Sequence, residues 1–270
     1  MRLPFTQVDA FAGEAFRGNP AAVIPLASWL PDDTLQAIAE ENNLSETAFI
    51  VPATGPATGG DGADFELRWF TPAVEVALCG HATLASGHVV LQSEGARDRV
   101  VFRTRRAGPL SVEREGLGYR MALPAYPAEP RPLPAILSAL GVGRAVETRW
   151  HPSRYGLVVL EDERAVRSLR PDFRALAAEG DVLTIVTAPG EATDVVSRVF
   201  ACGAGIDEDP VTGSAHSVLT PYWAERLRRP DFTAFQASRR GGRVGCRLEG
   251  DRAVLGGQCV TVIEGAFLLP

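Results

Sequence analysis

The chain has 270 residues, enough for one large or two medium domains with proper cores. Its formal charge of -6 and pI near 5.4 exclude the basic face that a nucleic acid or an anionic membrane rewards. All 27 basic residues are arginine, so without a lysine no Schiff-base chemistry, pyridoxal phosphate included, is open to it.

The opening MRLPFTQVDAF reaches Asp9 without an apolar h-region and does not read as a secretory signal. It begins a strand over about 3–11, and a second strand follows at 21–25. Leu35, Ile38 and Ala39 then stripe a helix over 32–42, with Asp32 expected to cap it. Further strands are predicted at 48–51 and 65–70. Thr71-Pro72 marks a turn, and a helix apolar all round starts near Gly80. Strands at 100–103, 110–114 and 118–123 close the first half.

Five prolines between Pro124 and Pro134 cannot continue a helix or a central strand and favour an extended spacer. The boundary therefore falls at 124–134, between a first lobe over 1–123, to which 264–270 could return, and a second lobe over 135–263. The second half repeats the theme, with strands at 156–160, 182–187 and 198–202 and an apolar helix from Gly213. Strands at 243–248, 253–255 and 260–263 follow. A helix without a polar face must be surrounded by protein. The expected fold class is α+β, two similar lobes each wrapping a sheet around one buried helix, with a cleft between them.

Three segments carry chemistry. Cys79-Gly80-His81-Ala82-Thr83 opens the first buried helix, and the run from Asp209 through Gly213, Ser214, Ala215 and His216 opens the second. Either is by itself an ordinary capped helix start. Together, each beside a titratable side chain, they read as paired anion nests whose amides, at Gly80, Ala82, Gly213 and Ala215, bind a substrate carboxylate. The third is Leu44-Ser45-Glu46-Thr47-Ala48-Phe49, which puts a carboxylate at a helix-to-strand turn. A glutamate in a polar turn is ordinarily solvated surface. Flanked by Leu44 and Phe49, Glu46 is expected to be partly desolvated and suited to proton shuttling.

These segments, in this order, resemble the PhzF family of phenazine-biosynthesis isomerases. The likeness also takes in Gly18-Asn19-Pro20, Phe70-Thr71-Pro72, Glu75 and the run Gln236–Gly242, and so spans nearly the whole chain. It implies the diaminopimelate-epimerase-like fold, a site between two lobes and a homodimer. By that resemblance Glu46 is the main acid–base catalyst, completed by His81, Asp209 and Ser214, with Asn19 among the substrate-binding residues. The reaction implied is a cofactor-independent isomerisation, typified by a dihydro-hydroxyanthranilate that loses and regains a proton on carbon. Asp209 near His81 would fix the imidazole tautomer.

Two other readings stay open. Racemases of this fold use one cysteine from each lobe; Cys79 stands at the first position, but Thr212 precedes Gly213, and a hydroxyl is no second base. Cys79 is then expected to be packing. A protein that binds a small carboxylate without turnover is the third reading. Cys79, Cys202, Cys246 and Cys259 lack CxxC or zinc spacing and suit a reducing compartment, so the expected location is the cytoplasm. Nor do His81, His88, His151 and His216 fall at metal-ligand spacings, so no metal site is expected. His88 reads as a core histidine, His216 as core or support, and His151 as a loop residue. There is no GxGxxG, P-loop or GxSxG pattern. Arg17 and the run 238–240 are further candidates for setting specificity.

Overall fold

Two helices that are buried on nearly every side organise the protein, one in each of two compact units. The computed structural model describes residues 1–54 and 62–269. The units are Met1–Ala122 with Gly256–Pro270, and Leu123–Leu255.

The first unit is built on β1 (Arg2–Ala10), β2 (Asn19–Pro25), α1 (Asp32–Asn42), β3 (Glu46–Pro52), β4 (Phe65–Phe70), β5 (Glu75–Val76) and α2 (Gly80–Ser93). The strands β6 (Arg99–Thr104), β7 (Pro109–Glu115) and β8 (Gly118–Pro124) follow. β1 pairs antiparallel with β2, β2 runs parallel to β3, and β3 antiparallel to β4. β4 also carries β5 and, in parallel, β6, from which β7 and β8 continue as a meander. The last strand of the chain, at Cys259–Leu268, pairs antiparallel with β1, and Leu269 N–H donates to the Met1 carbonyl at 2.9 Å.

Eleven of the fourteen residues of α2 are buried, because β1, β2, β3, β6 and β7 all pack on it. Its hydroxyl side chains bond back to its own backbone: Thr83 Oγ1 donates to the Cys79 carbonyl at 2.6 Å and Ser86 Oγ to the Ala82 carbonyl at 2.7 Å. Gly87 is where the helix meets β7; a Cβ there would lie 2.4 Å from Val112 Cγ1.

α1 buries Leu35, Ile38 and Ala39, as its periodicity predicts. Its start differs from the expectation. Pro31 is the N-cap, Asp32 lies inside the helix, and no side chain caps it. The Asp32 carboxylate is taken instead by Arg68 at 2.9 Å. Arg68 is 2% exposed and also holds Glu75 through two bonds of 2.8 Å, and a bond to a buried guanidinium, in which both partners are charged, outcompetes a cap bond from a neutral backbone N–H. The same guanidinium thus anchors β5 and the turn at Thr71-Pro72.

The second unit contains β9 (Glu129–Pro130), α3 (Pro134–Leu140), β10 (Glu147–His151), β11 (Tyr155–Val159), α4 (Glu163–Ser168) and α5 (Phe173–Ala178). After these come β12 (Leu183–Pro189), β13 (Val195–Phe200), α6 (Gly213–Leu227), β14 (Asp231–Gln236) and β15 (Gly242–Glu249). The chain ends with β16 (Arg252–Gly257) and β17, the Cys259–Leu268 strand. The order from β9 to β15 follows the chain, with parallel steps at β11–β12 and β13–β14 and antiparallel ones elsewhere. Leu133, Ile136, Val158, Val186 and Phe200 form a core under α3, α4 and α5.

α6 contains Pro221, which has no N–H to give the Ser217 carbonyl four residues back. The Tyr126 amide, from the proline-rich segment, fills that place at 2.8 Å. Pro130 and Glu129 of the same segment pair with β10, and Pro134 opens α3 at a position that needs no N–H. Among the described residues no helix is long and apolar enough to cross a membrane.

Candidate active site

Glu46 is the first residue of β3. α1 ends on Asn43 in the left-handed region, φ 48°, and the chain turns directly into the strand. Asn42 Nδ2 steadies that turn by donating to Thr47 Oγ1 at 3.1 Å. Register with β2 sets Ala21 opposite Glu46. The approach to β2 requires Gly18, whose φ is 63° and whose added Cβ would strike the Ala10 carbonyl at 2.1 Å.

The side chain of Glu46 is 13% exposed, and its Oε2 stands 3.0 Å from His81 Nε2, in an ion-pair contact not aligned as a straight hydrogen bond. On the other side of the ring, Asn19 Nδ2 lies 3.2 Å from His81 Nδ1, and Cys79 Sγ lies 3.5 Å from it. Asn19 and His81 are buried. An amide N–H can only donate, so Nδ1 of the neutral ring accepts and Nε2 carries the hydrogen toward Glu46. Asn19 therefore orients the imidazole from within its own unit.

Burial works against a charged imidazole, but Cys79 and Glu46 outweigh it and hold His81 well above the ordinary histidine range. The Cys79 thiol is itself pushed up to about 11, first by burial and then by Glu46. A thiol so placed is neutral at pH 7, so Glu46 is the charge that draws the His81 value upward.

Glu46, Cys79 and His81 bring one donor atom each within 4.8 Å of one another, a set that no sequence spacing reveals. Imidazole, thiolate and carboxylate are zinc donors. The ring meets Cys79 at Nδ1 and Glu46 at Nε2.

In the second unit, Asp209 and Thr212 are buried. Thr212 Oγ1 donates to Asp209 Oδ2. Ser238 Oγ donates to the Pro210 carbonyl at 2.8 Å, so Ser238 braces this turn. Ser214 lies in the first turn of α6, beside Tyr155, whose hydroxyl is held above the ordinary tyrosine range mainly by burial. Tyr155 belongs to a cluster with Tyr126 and His151, the latter two stacked at 4.7 Å. His151 is thus the end of β10 with its ring packed, not a free loop residue. His216 is wholly buried, donates from Nδ1 to the Thr212 carbonyl at 2.7 Å, and is pushed down to about 4 by burial.

The helix starts themselves differ. α4 and α5 are capped by Asp162 and Asp172, whose carboxylates accept the amides of Ala165 and Ala175. α2 and α6 begin at Cys79 and Thr212, whose side chains cap nothing. The amides of Gly80 and Ala82, and of Gly213 and Ala215, therefore open helices left uncapped by the residues placed to cap them. Uncapped helix N-termini attract anions.

Of the other candidates, His88 is satisfied at both nitrogens, by Tyr119 at 3.0 Å and Thr261 at 2.9 Å. Arg17 is exposed and paired with Glu14. Tyr155 and Gln236 were not singled out as site residues from sequence, and nothing local in the chain marks their partners.

The family model for phenazine biosynthesis-like proteins, PhzC-PhzF, matches residues 8–265. An uncharacterized isomerase of Pseudomonas aeruginosa is 46% identical over the full length of both chains. The crystal structure of a PhzF-family protein from Enterococcus faecalis is 42% identical and superposes with a TM-score of 0.89 over the whole of both chains. A probable proline racemase from Agrobacterium radiobacter shares the fold at 12% identity, with a TM-score of 0.64 over 99% of this chain and 93% of its own.

Proposed function

Because the chain belongs to the PhzC-PhzF, or phenazine biosynthesis-like, family and stands among PhzF-like isomerases, we propose that Glu46 moves a proton between carbon atoms of a small carboxylate-bearing substrate, without a cofactor. The observation that carries this reading is the contact of Glu46 with a buried His81 that Asn19 holds in one orientation.

Glu46 takes a proton from carbon. The electron pair of that C–H bond passes into the unsaturated system of the substrate. The protonated Glu46 then returns the proton at a second carbon, so nothing is oxidised and no group leaves. His81 Nε2–H compensates the charge that Glu46 loses and regains. The uncapped amides of α2 suit a carboxylate, and so, within their own unit, do those of α6. Asp209 and Ser214 are assigned to the same reaction by the family's motif, and the bond from Thr212 that holds Asp209 within the second unit supports its part in it.

The two-thiol racemase reading has less support. Thr212 occupies the second position with its hydroxyl committed to Asp209, and Cys79 keeps its proton at neutral pH. Glu46→Gln and His81→Asn test the proposal through the split between binding and turnover. Calorimetry should find substrate or product bound by Glu46→Gln within about threefold of wild type, while turnover falls at least about a thousandfold. Turnover near the wild-type rate in Glu46→Gln would remove Glu46 from the mechanism.

A further inference from the structure

Gln236, the last residue of β14, is fully buried, and its side chain is given over to the turn that carries Asp209 and Thr212. Its Oε1 accepts the Thr212 amide at 2.9 Å, and its Nε2 donates to the Asp209 carbonyl at 2.7 Å. A backbone N–H only donates and a backbone carbonyl only accepts, so these two bonds fix which end of the amide is which. The same Nε2 stands 3.1 Å from Thr212 Oγ1. Since Nε2 is a donor, Oγ1 must accept there, and the single hydroxyl proton of Thr212 goes the other way, to Asp209 Oδ2. The direction of the whole chain thus follows from one glutamine read against two backbone groups.

We infer that Gln236 is a positioning residue: it orients the Thr212 hydroxyl so that Asp209 is held as a hydrogen-bond acceptor. It also keeps that hydroxyl away from the N-terminus of α6, where a threonine would ordinarily cap, and so leaves the first amides of the helix to a ligand. The inference rests on the reading above, in which Asp209 and the amides of α6 serve the substrate. It adds a residue that touches neither substrate nor reacting atoms and acts through Thr212.

A double-mutant cycle tests it. Gln236→Met keeps the volume and removes all three bonds, and Thr212→Val removes the relay. Each should lower kcat at least tenfold with KM changed less than threefold, and the double variant should be no worse than the poorer single one. Losses that multiply, to about a hundredfold in the double variant, would overturn the inference, because the two residues would then act separately. Gln236→Glu guards against a Met variant that fails to fold. It keeps an acceptor for the Thr212 amide but offers no donor to Oγ1, and must show the same loss of kcat; wild-type kcat there overturns the inference.

A second measurement needs no substrate. In wild-type protein the Thr212 hydroxyl proton should be protected from exchange and coupled in NMR to the Asp209 carboxylate carbon, and Gln236→Met and Gln236→Glu should lose that coupling. Coupling that persists in both variants overturns the inference even in a protein without turnover. Absent turnover with the coupling intact and sensitive to Gln236 would instead fault the proposed function alone.

Discussion

Replacing His216 with asparagine should flatten the acid limb of the protein's stability. His216 is wholly buried in α6, and burial pushes its imidazole down to about 4 from an ordinary 6.5. Its Nδ1–H serves the Thr212 carbonyl, and Nε2 has no hydrogen-bond partner among the described residues, so a second proton would be buried unpaired. The folded-state value lies below the unfolded one, so the unfolded chain binds the proton first as pH falls. The stabilisation is therefore present above about pH 6.5 and is lost as pH drops toward about 4. Over that window the loss is about 3 kcal/mol from this residue alone. His88, also pushed down to about 4 mainly by burial, loses stability in the same direction. His81 has the opposite sign: its raised value stabilises fully below about 6.5 and loses that contribution only as pH rises through the folded value, so it does not shape the acid limb. An asparagine amide can replace the Nδ1–H bond but cannot titrate. Urea unfolding of wild type and His216→Asn between about pH 7 and pH 4 should show the variant less stable at neutral pH and the gap closing by about 3 kcal/mol at the acid end. Two curves that stay parallel would refute the claim that His216 is held neutral by burial.

Gly87→Ala should cost about 1–3 kcal/mol in chemical denaturation, because its Cβ would meet the stiff Val112 at 2.4 Å, whereas Gly95→Ala, with nothing within 4 Å, should stay within about 0.5 kcal/mol of wild type. Cys79→Ala should keep turnover within about threefold of wild type, and iodoacetamide at neutral pH should leave activity intact, since a thiol pushed up to about 11 is nearly all protonated; inactivation by either would restore the cysteine-based racemase reading. Tyr155→Phe, which removes the hydroxyl beside Ser214, should lower kcat/KM about tenfold in steady-state assays, with unfolding little changed; an unaltered kcat/KM would show that Ser214 is oriented by other groups.

Much of the fold is legible in the sequence because its signals are local. The stripe of Leu35, Ile38 and Ala39 marks α1 over its full length, and the all-round apolar runs after Gly80 and Gly213 give the two buried helices their starting residues. The short helices α3, α4 and α5 are too brief for a periodic stripe, and β9 lies where prolines mask strand character. Asp32 had the right chemistry for a cap, but Arg68, distant in sequence, claimed it. The site divides in the same way. Glu46, His81, Asp209 and Ser214 stand out through motif resemblance. Their supporting contacts do not, because Asn19, read there only as a substrate binder, on Nδ1 of His81 and Gln236 on the Thr212 turn are joined by bonds between distant segments. The contact of Cys79 with His81 shows why a residue read as packing still belongs to the site: its thiol fills the Nδ1 side of the ring.

The most direct test of Glu46 as proton carrier is solvent-deuterium incorporation followed by mass spectrometry. Wild type and Glu46→Gln would be incubated in deuterium oxide with a panel of cyclic and acyclic unsaturated carboxylates, a dihydro-hydroxyanthranilate among them. The account predicts deuterium on carbon with wild type and none above the uncatalysed rate with Glu46→Gln. Incorporation at an equal rate by Glu46→Gln would contradict it.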